Sequence, residues 1–141
     1  MRKNNTLYAF LLALVITTIW TFFNRYEYIG NNLFLFNTIN IFPLVLWTLG
    51  LTILYIVHIH TKIKHPILFI TVFYLVCIGL LEAFGYYVLN IRLNSDYPSL
   101  FNMGIIHAPV HMKVFYIVAG PLYILLTHAL LKYSASRPSR S

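Results

Sequence analysis

The sequence predicts an all-α integral membrane protein, a four-helix bundle with both termini cytoplasmic, and three observations carry that prediction. First, 60% of the 141 residues are apolar and only 9% are charged, with a mean hydropathy of +0.76. Soluble domains carry about 25% charged residues, so this chain has too few to cover a water-facing surface. Second, the apolar residues gather in four continuous runs, at about residues 7–23, 41–58, 66–89 and 110–131. At a helical rise of ~1.5 Å per residue these runs are about 25 to 36 Å long. That suits a hydrocarbon core of ~30 Å once tilt is allowed. Continuity also argues against a barrel, whose strands alternate polar and apolar residues. Third, basic residues fall unevenly at the two ends of the runs.

Taken in order, the first run follows Arg2 and Lys3, as a signal peptide would. Thr17, Thr18, Ile19 and Trp20 then continue the apolar stretch where a small-residue cleavage site would stand, so the run reads as a retained helix. Residues 24–40 mix Tyr26, Tyr28, Phe34 and Phe36 with Asn and Gly, a composition suited to the headgroup level. Asn40 is placed to cap the second helix, with Pro43 in its first turn, where the missing N–H does no harm. A short turn, 61–65, follows. Its neighbours His58, His60, Lys62, Lys64 and His65 read as interfacial anchors.

In the third run Gly79 and Ala83 form a small-xxx-small pair, which predicts close approach of another helix. The connection 90–108 contains Asp96-Tyr97-Pro98-Ser99, a turn signature in which Pro fixes the backbone. Residues 100–106 are apolar but too short to span, and read as an interfacial or re-entrant piece whose backbone needs protein partners. Pro109 fits the first position of the fourth helix. Gly120-Pro121, midway along that helix, predicts a bend. Residues 1–133 thus form one transmembrane domain and 134–141 a flexible, basic cytoplasmic tail.

Seven basic residues (Arg2, Lys3, Lys62, Lys64, Lys132, Arg137, Arg140) fall on one side of this topology and three (Arg25, Arg92, Lys113) on the other. Lys and Arg favour the cytoplasmic side, which sets the orientation and suits the plasma (inner) membrane. The net charge of +7 is then topology charge facing the lipid bilayer, and nucleic acid is not an expected partner. All three acids, Glu27, Glu82 and Asp96, fall in the outer half, with His107 and His111. The outer connections are also longer than the ~2–8 residues usual between bundle helices, and surplus loop length often carries function.

Glu82 is the sharpest candidate, because it stands inside a membrane run where an ionised carboxylate costs several kcal/mol unless paired, protonated or functional. It serves as a packing residue bonded to Tyr86, to a Thr or Asn of another helix, or to Arg92, or else as a ligand, proton or catalytic group. His107 and His111 are four apart, and with Glu82 they make the two-histidine, one-carboxylate set that holds a metal if a metal is present. Pro109 disfavours a helical Ala108, which places His107 just outside the helix, and no metal is assigned. Catalytic candidates are therefore Glu82, His107, His111 and Asp96, with Tyr86, Arg92 and Glu27 as ligand-binding candidates. Trp20, Trp47 and most of the eleven Tyr read as belt and packing residues. Cys77, the sole cysteine, excludes an intrachain disulfide.

No Gly-rich phosphate loop, serine elbow or repeat is present, so no cofactor is named. Three functional classes remain. One is an outward-facing polar site for a lipid-like or other apolar ligand centred on Glu82, with or without catalysis. Another is a small, homo-oligomeric, proton-coupled carrier. The last is a non-catalytic subunit or assembly factor bound to a membrane-protein partner.

Overall fold

The structure, a computed structural model, describes residues 2–30, 32–93 and 96–136. Four helices account for most of them: α1 (Arg2–Asn24), α2 (Ile41–His60), α3 (Pro66–Tyr87) and α4 (Val110–Ser136). Each contains a stretch long and apolar enough to cross a membrane. The chain is an all-helical, multi-pass membrane protein. α4 continues to Ser136, into the segment expected as a tail, and residues 137–141 lie outside the described residues.

Helix starts follow local chemistry. The Asn40 side chain accepts from the Phe42 N–H and so caps α2, as its position predicts. Pro66 opens α3, where a proline gives up no intrahelical hydrogen bond. Pro109 stands one residue earlier than expected, before the first residue of α4. Its carbonyl accepts from the Lys113 N–H, so it starts the hydrogen-bond ladder from outside the helix.

Contacts between helices fix an up-down-up-down order. Thr17 of α1 meets Thr48 of α2, and Tyr123 of α4 donates to the Ala9 carbonyl of α1. At the other end of α1, His111 of α4 bonds Asn24. α1 therefore runs antiparallel to α4, and both termini leave the same end of the bundle. The opposite end carries the two long connections and is called here the connection end.

α1 is seated by small residues. Ala9, Ala13, Thr17 and Thr21 recur every four residues and are all fully buried. That places them on one face, where small side chains let other helices approach closely. The hydroxyls of Thr17 and Thr21 also bond carbonyls one turn back, and the two hydroxyls of Thr17 and Thr48 meet at 2.7 Å. On the other side Leu7, Leu11, Val15 and Ile19, again four apart, are exposed, as lipid-facing residues are.

The close approach expected at Gly79 and Ala83 occurs elsewhere. A Cβ on Gly79 would stand 3.8 Å from the Ile105 side chain, an ordinary contact with a connection rather than a helix seam. The tight crossing is at Gly120 of α4, where a Cβ would fall 2.5 Å from Cγ of Tyr74. Only glycine leaves room there for that ring, whose hydroxyl donates to the Tyr116 carbonyl at 2.6 Å. Pro121 lies inside a helix that continues through it.

The connections are ordered by their own hydrogen bonds. Phe34–Leu35 (β1) and Ile39–Asn40 (β2) form a short antiparallel hairpin. Phe36 and Asn37 at its turn take left-handed φ angles of 50° and 55°. Asn40 donates to the Tyr26 carbonyl and to Asn32, whose own amide donates back to the Tyr28 carbonyl. Ile29 N–H donates to the Arg92 carbonyl, and Tyr28 pairs with Leu93, so the two connections are stitched together. The short apolar segment finds its backbone partners too: Leu100 N–H donates to the Ile105 carbonyl beside a 3₁₀ turn at Leu100–Asn102. Ile106 and Ala108 are buried in a cluster with Tyr26, Met112 and Tyr116.

Candidate functional site: a cavity between the second and third helices

α2 and α3 do not close on each other. Between them lies a cavity of about 510 Å³, within the roughly 300–1,000 Å³ usual for small-molecule sites. Its walls follow from helical spacing. Trp47, Gly50, Leu51 and Leu54 line it from α2, and Tyr74, Cys77, Ile78, Leu81, Glu82 and Gly85 line it from α3. These are the i, i+3, i+4, i+7 positions that share one helix face. Neither Gly50 nor Gly85 has an atom within 4 Å of where a Cβ would stand, which is part of why space remains. Tyr28 and Ile91 of the two connections close the connection end, and Tyr116 of α4 backs the cavity. Several wall residues, including Leu46, Ile53, Leu81 and Phe84, are exposed on the bundle surface. The cavity therefore reaches the lipid-facing side between α2 and α3.

Glu82 is the one Asp, Glu, Lys, Arg or His among the described residues of this wall. It makes no hydrogen bond or ion pair with any described residue, so the packing partners considered for it are not used. Arg92 does not reach back to it. Instead its guanidinium lies 4.3 Å from the centre of the Tyr86 ring. His107 stacks on the same ring at 3.9 Å and 12°. Two groups that close cannot share one face, so Tyr86 is held between them. Tyr86 lines the cavity, whereas His107 and Arg92 do not.

The remaining candidates are elsewhere. His111 bonds Asn24 at 2.9 Å. Glu27 lines a separate cavity of about 200 Å³ with Asn24, Arg25 and Tyr26. Asp96 is exposed and lines neither cavity. Among the described residues no three His, Cys, Asp or Glu side chains gather closely enough to hold a metal, so Glu82, His107 and His111 form no ligand set. The reason is directional. His111 lies in the first turn of α4 and bonds Asn24 of α1, whereas His107 precedes the helix, follows a left-handed Ile106 (φ 54°) and stacks on Tyr86 of α3.

Electrostatics at the connection end are set by burial. Burial pushes the Tyr26 hydroxyl up to about 12, and the charge of Glu82 adds in the same direction. Tyr28 is raised by burial, then by Tyr26 and Glu82. Both phenols therefore stay neutral and keep their protons. The Tyr26 oxygen accepts from the Trp20 indole N–H at 2.7 Å and from the Tyr116 hydroxyl at 3.4 Å. His107 is held below its ordinary value by burial, then by Arg92 and Lys113, and its buried Nδ1 has no hydrogen-bond partner among the described residues.

Several contributors escaped sequence reasoning. Trp47 and Tyr116, assigned to packing, stand on the cavity wall, their rings 5.0 Å apart. The matching i, i+3, i+4, i+7 sets on α2 and α3 were a usable signal. Lys113, counted as a topology charge, is instead buried, and its ammonium donates to the Pro98 and Ser99 carbonyls. It staples the second connection to α4, and no sequence pattern announces that.

A scan against family models and searches of curated proteins and of solved structures find no match to this chain.

Proposed function

We propose that this membrane protein binds a lipid-like or other apolar molecule, which enters from the bilayer between α2 and α3 and is met by Glu82. The observation that carries this reading is the cavity itself: apolar-walled, open toward lipid and furnished with one unpaired carboxyl group. A half-buried acid with no hydrogen-bond or ion-pair partner among the described residues is poor packing chemistry, because its desolvation is not offset. It is reasonable chemistry for a ligand site that presents one polar group to an incoming molecule. Binding is favoured over catalysis because His107, His111 and Asp96 do not join Glu82. In this reading both termini face the cytoplasm, and the cavity lies in the outer half of the membrane, as the distribution of basic residues favours.

Filling the cavity tests the proposal. Gly50→Leu places a side chain into open space on the wall. Native mass spectrometry of protein released from lipid nanodiscs is expected to show a retained amphiphile on the wild type and little on this variant. Equal retention by both would remove the cavity from consideration as the site. Orientation is tested by maleimide labelling of Asp96→Cys in a Cys77→Ser background. Labelling from outside the cell supports the outward-facing reading, whereas labelling only from the cytoplasmic side reverses it.

A further inference from the structure

We propose that the molecule bound in this cavity is a single-chain amphiphile with a cationic head, a long-chain amine or quaternary ammonium, held by Glu82 among aromatic rings. The assignment rests on the cavity being the ligand site and adds the chemistry of the head.

Charge complementarity comes first. Glu82 has no counter-ion among the described residues: of the three cations at the connection end, Arg25 lines the separate cavity with Glu27, and the other two are engaged elsewhere. Arg92 lies over the Tyr86 ring, and Lys113 donates to the Pro98 carbonyl. An incoming cation therefore meets an unpaired acid rather than competing with an internal partner. The remaining wall suits a cation as well. Tyr28, Phe42, Trp47 and Tyr116 line the same cavity, and aromatic faces attract ammonium groups, Trp most strongly. The Tyr28 ring meets Phe42 edge to face at 5.8 Å, and Trp47 meets Tyr116 at 5.0 Å, so these rings form two pairs on the wall. An anionic head is disfavoured by the same inventory. It would face Glu82 with no wall cation to neutralise it.

Shape selects the tail. The wall runs from Phe42 to Leu54 along α2, ~18 Å at ~1.5 Å per residue. Beyond Glu82 it is apolar, with Leu51, Leu54, Phe73 and Cys77. Such a slot accepts one extended chain with its head toward the connections.

Trp47 on the wall provides the readout. Protein in phosphatidylcholine nanodiscs is titrated with three dibrominated octadecyl probes of equal chain length: an amine, an alcohol and a carboxylate. Bromine quenches indole on contact, and a Trp47→Phe control identifies the Trp47 contribution. The amine is expected to quench Trp47 at a mole fraction roughly ten-fold below the alcohol, as a desolvated cation–aromatic contact with an acid implies. The carboxylate should be weakest. Glu82→Gln, nearly isosteric, should bring the amine to the level of the alcohol. Equal quenching by amine and alcohol in the wild type, abolished by Gly50→Leu, overturns the cationic head and leaves the cavity as a site for neutral lipids. Quenching by no probe beyond that in Gly50→Leu overturns the cavity reading itself. The wild-type comparison of the three probes decides the head group even if a variant fails to fold.

Discussion

α2 presents two sides to the bundle, and they are built oppositely. Toward α1 it meets the stripe Ala9, Ala13, Thr17 and Thr21, fully buried, with a direct hydroxyl contact from Thr17 to Thr48. Toward α3 it presents Trp47, Gly50 and Leu54 to Cys77, Leu81 and Glu82, and a cavity remains between them. Both sides are apolar enough for a membrane interior. In lipid the hydrophobic effect does not drive helices together, so association depends on how closely backbones approach and on which polar groups pair. Small residues every four positions give the first side close approach. Large residues around two unfilled glycines hold the second side open.

Substitutions that add volume should separate the two sides most clearly. Ala13→Leu inserts a branched side chain at a position with no exposure, and Gly120→Ala drives a methyl into the Tyr74 ring. Each is expected to lower stability by about 1–3 kcal/mol. Gly85→Ala meets nothing within 4 Å, and should leave stability unchanged or raise it by up to ~1 kcal/mol through helix propensity. Thermal unfolding in detergent reads all three. A loss for Gly85→Ala as large as for Gly120→Ala would mean that the α2–α3 side is closed in the membrane.

A smaller effect is expected from the threonine contact. Thr17→Val keeps the shape but removes the hydroxyl that meets Thr48, and interhelical hydrogen bonds of this kind average about 0.6 kcal/mol. A cycle of Thr17→Val, Thr48→Val and the double variant isolates the pair. Additive effects would show that the Thr17–Thr48 contact between α1 and α2 is one of packing alone.

The smallest effect concerns the wall of the open side, through the stack of His107 on Tyr86. Because the folded protein holds His107 below its ordinary value of 6.5, the folded state binds its proton less readily than the unfolded chain. The stability it contributes is thus fully present above that value. It is lost as pH falls through 6.5 toward the lower, folded-state value. Hydrogen exchange of the 96–109 connection should accelerate over that window, and His107→Phe, which keeps a stacked ring, should remove the acceleration. An unchanged pH profile in the variant would assign the effect to another group.

Sequence alone determined the four spans, because hydropathy and length are properties of contiguous residues that a bilayer reads directly. It likewise set the cap at Asn40 and the anomaly of Glu82, since capping depends on neighbours in the chain and the cost of a carboxyl in hydrocarbon does not depend on tertiary detail. The stripe at Ala9, Ala13, Thr17 and Thr21 is visible in the sequence, as is the pair Gly79 and Ala83. Small residues at that spacing permit close approach without saying which partner helix arrives. Tertiary structure alone decided that Glu82 stands on a cavity wall unpaired with any described residue, that Arg92 and His107 clasp Tyr86, and that His111 turns toward Asn24. Those outcomes depend on helix rotation and on the path of two connections, which many weak, distant contacts fix together.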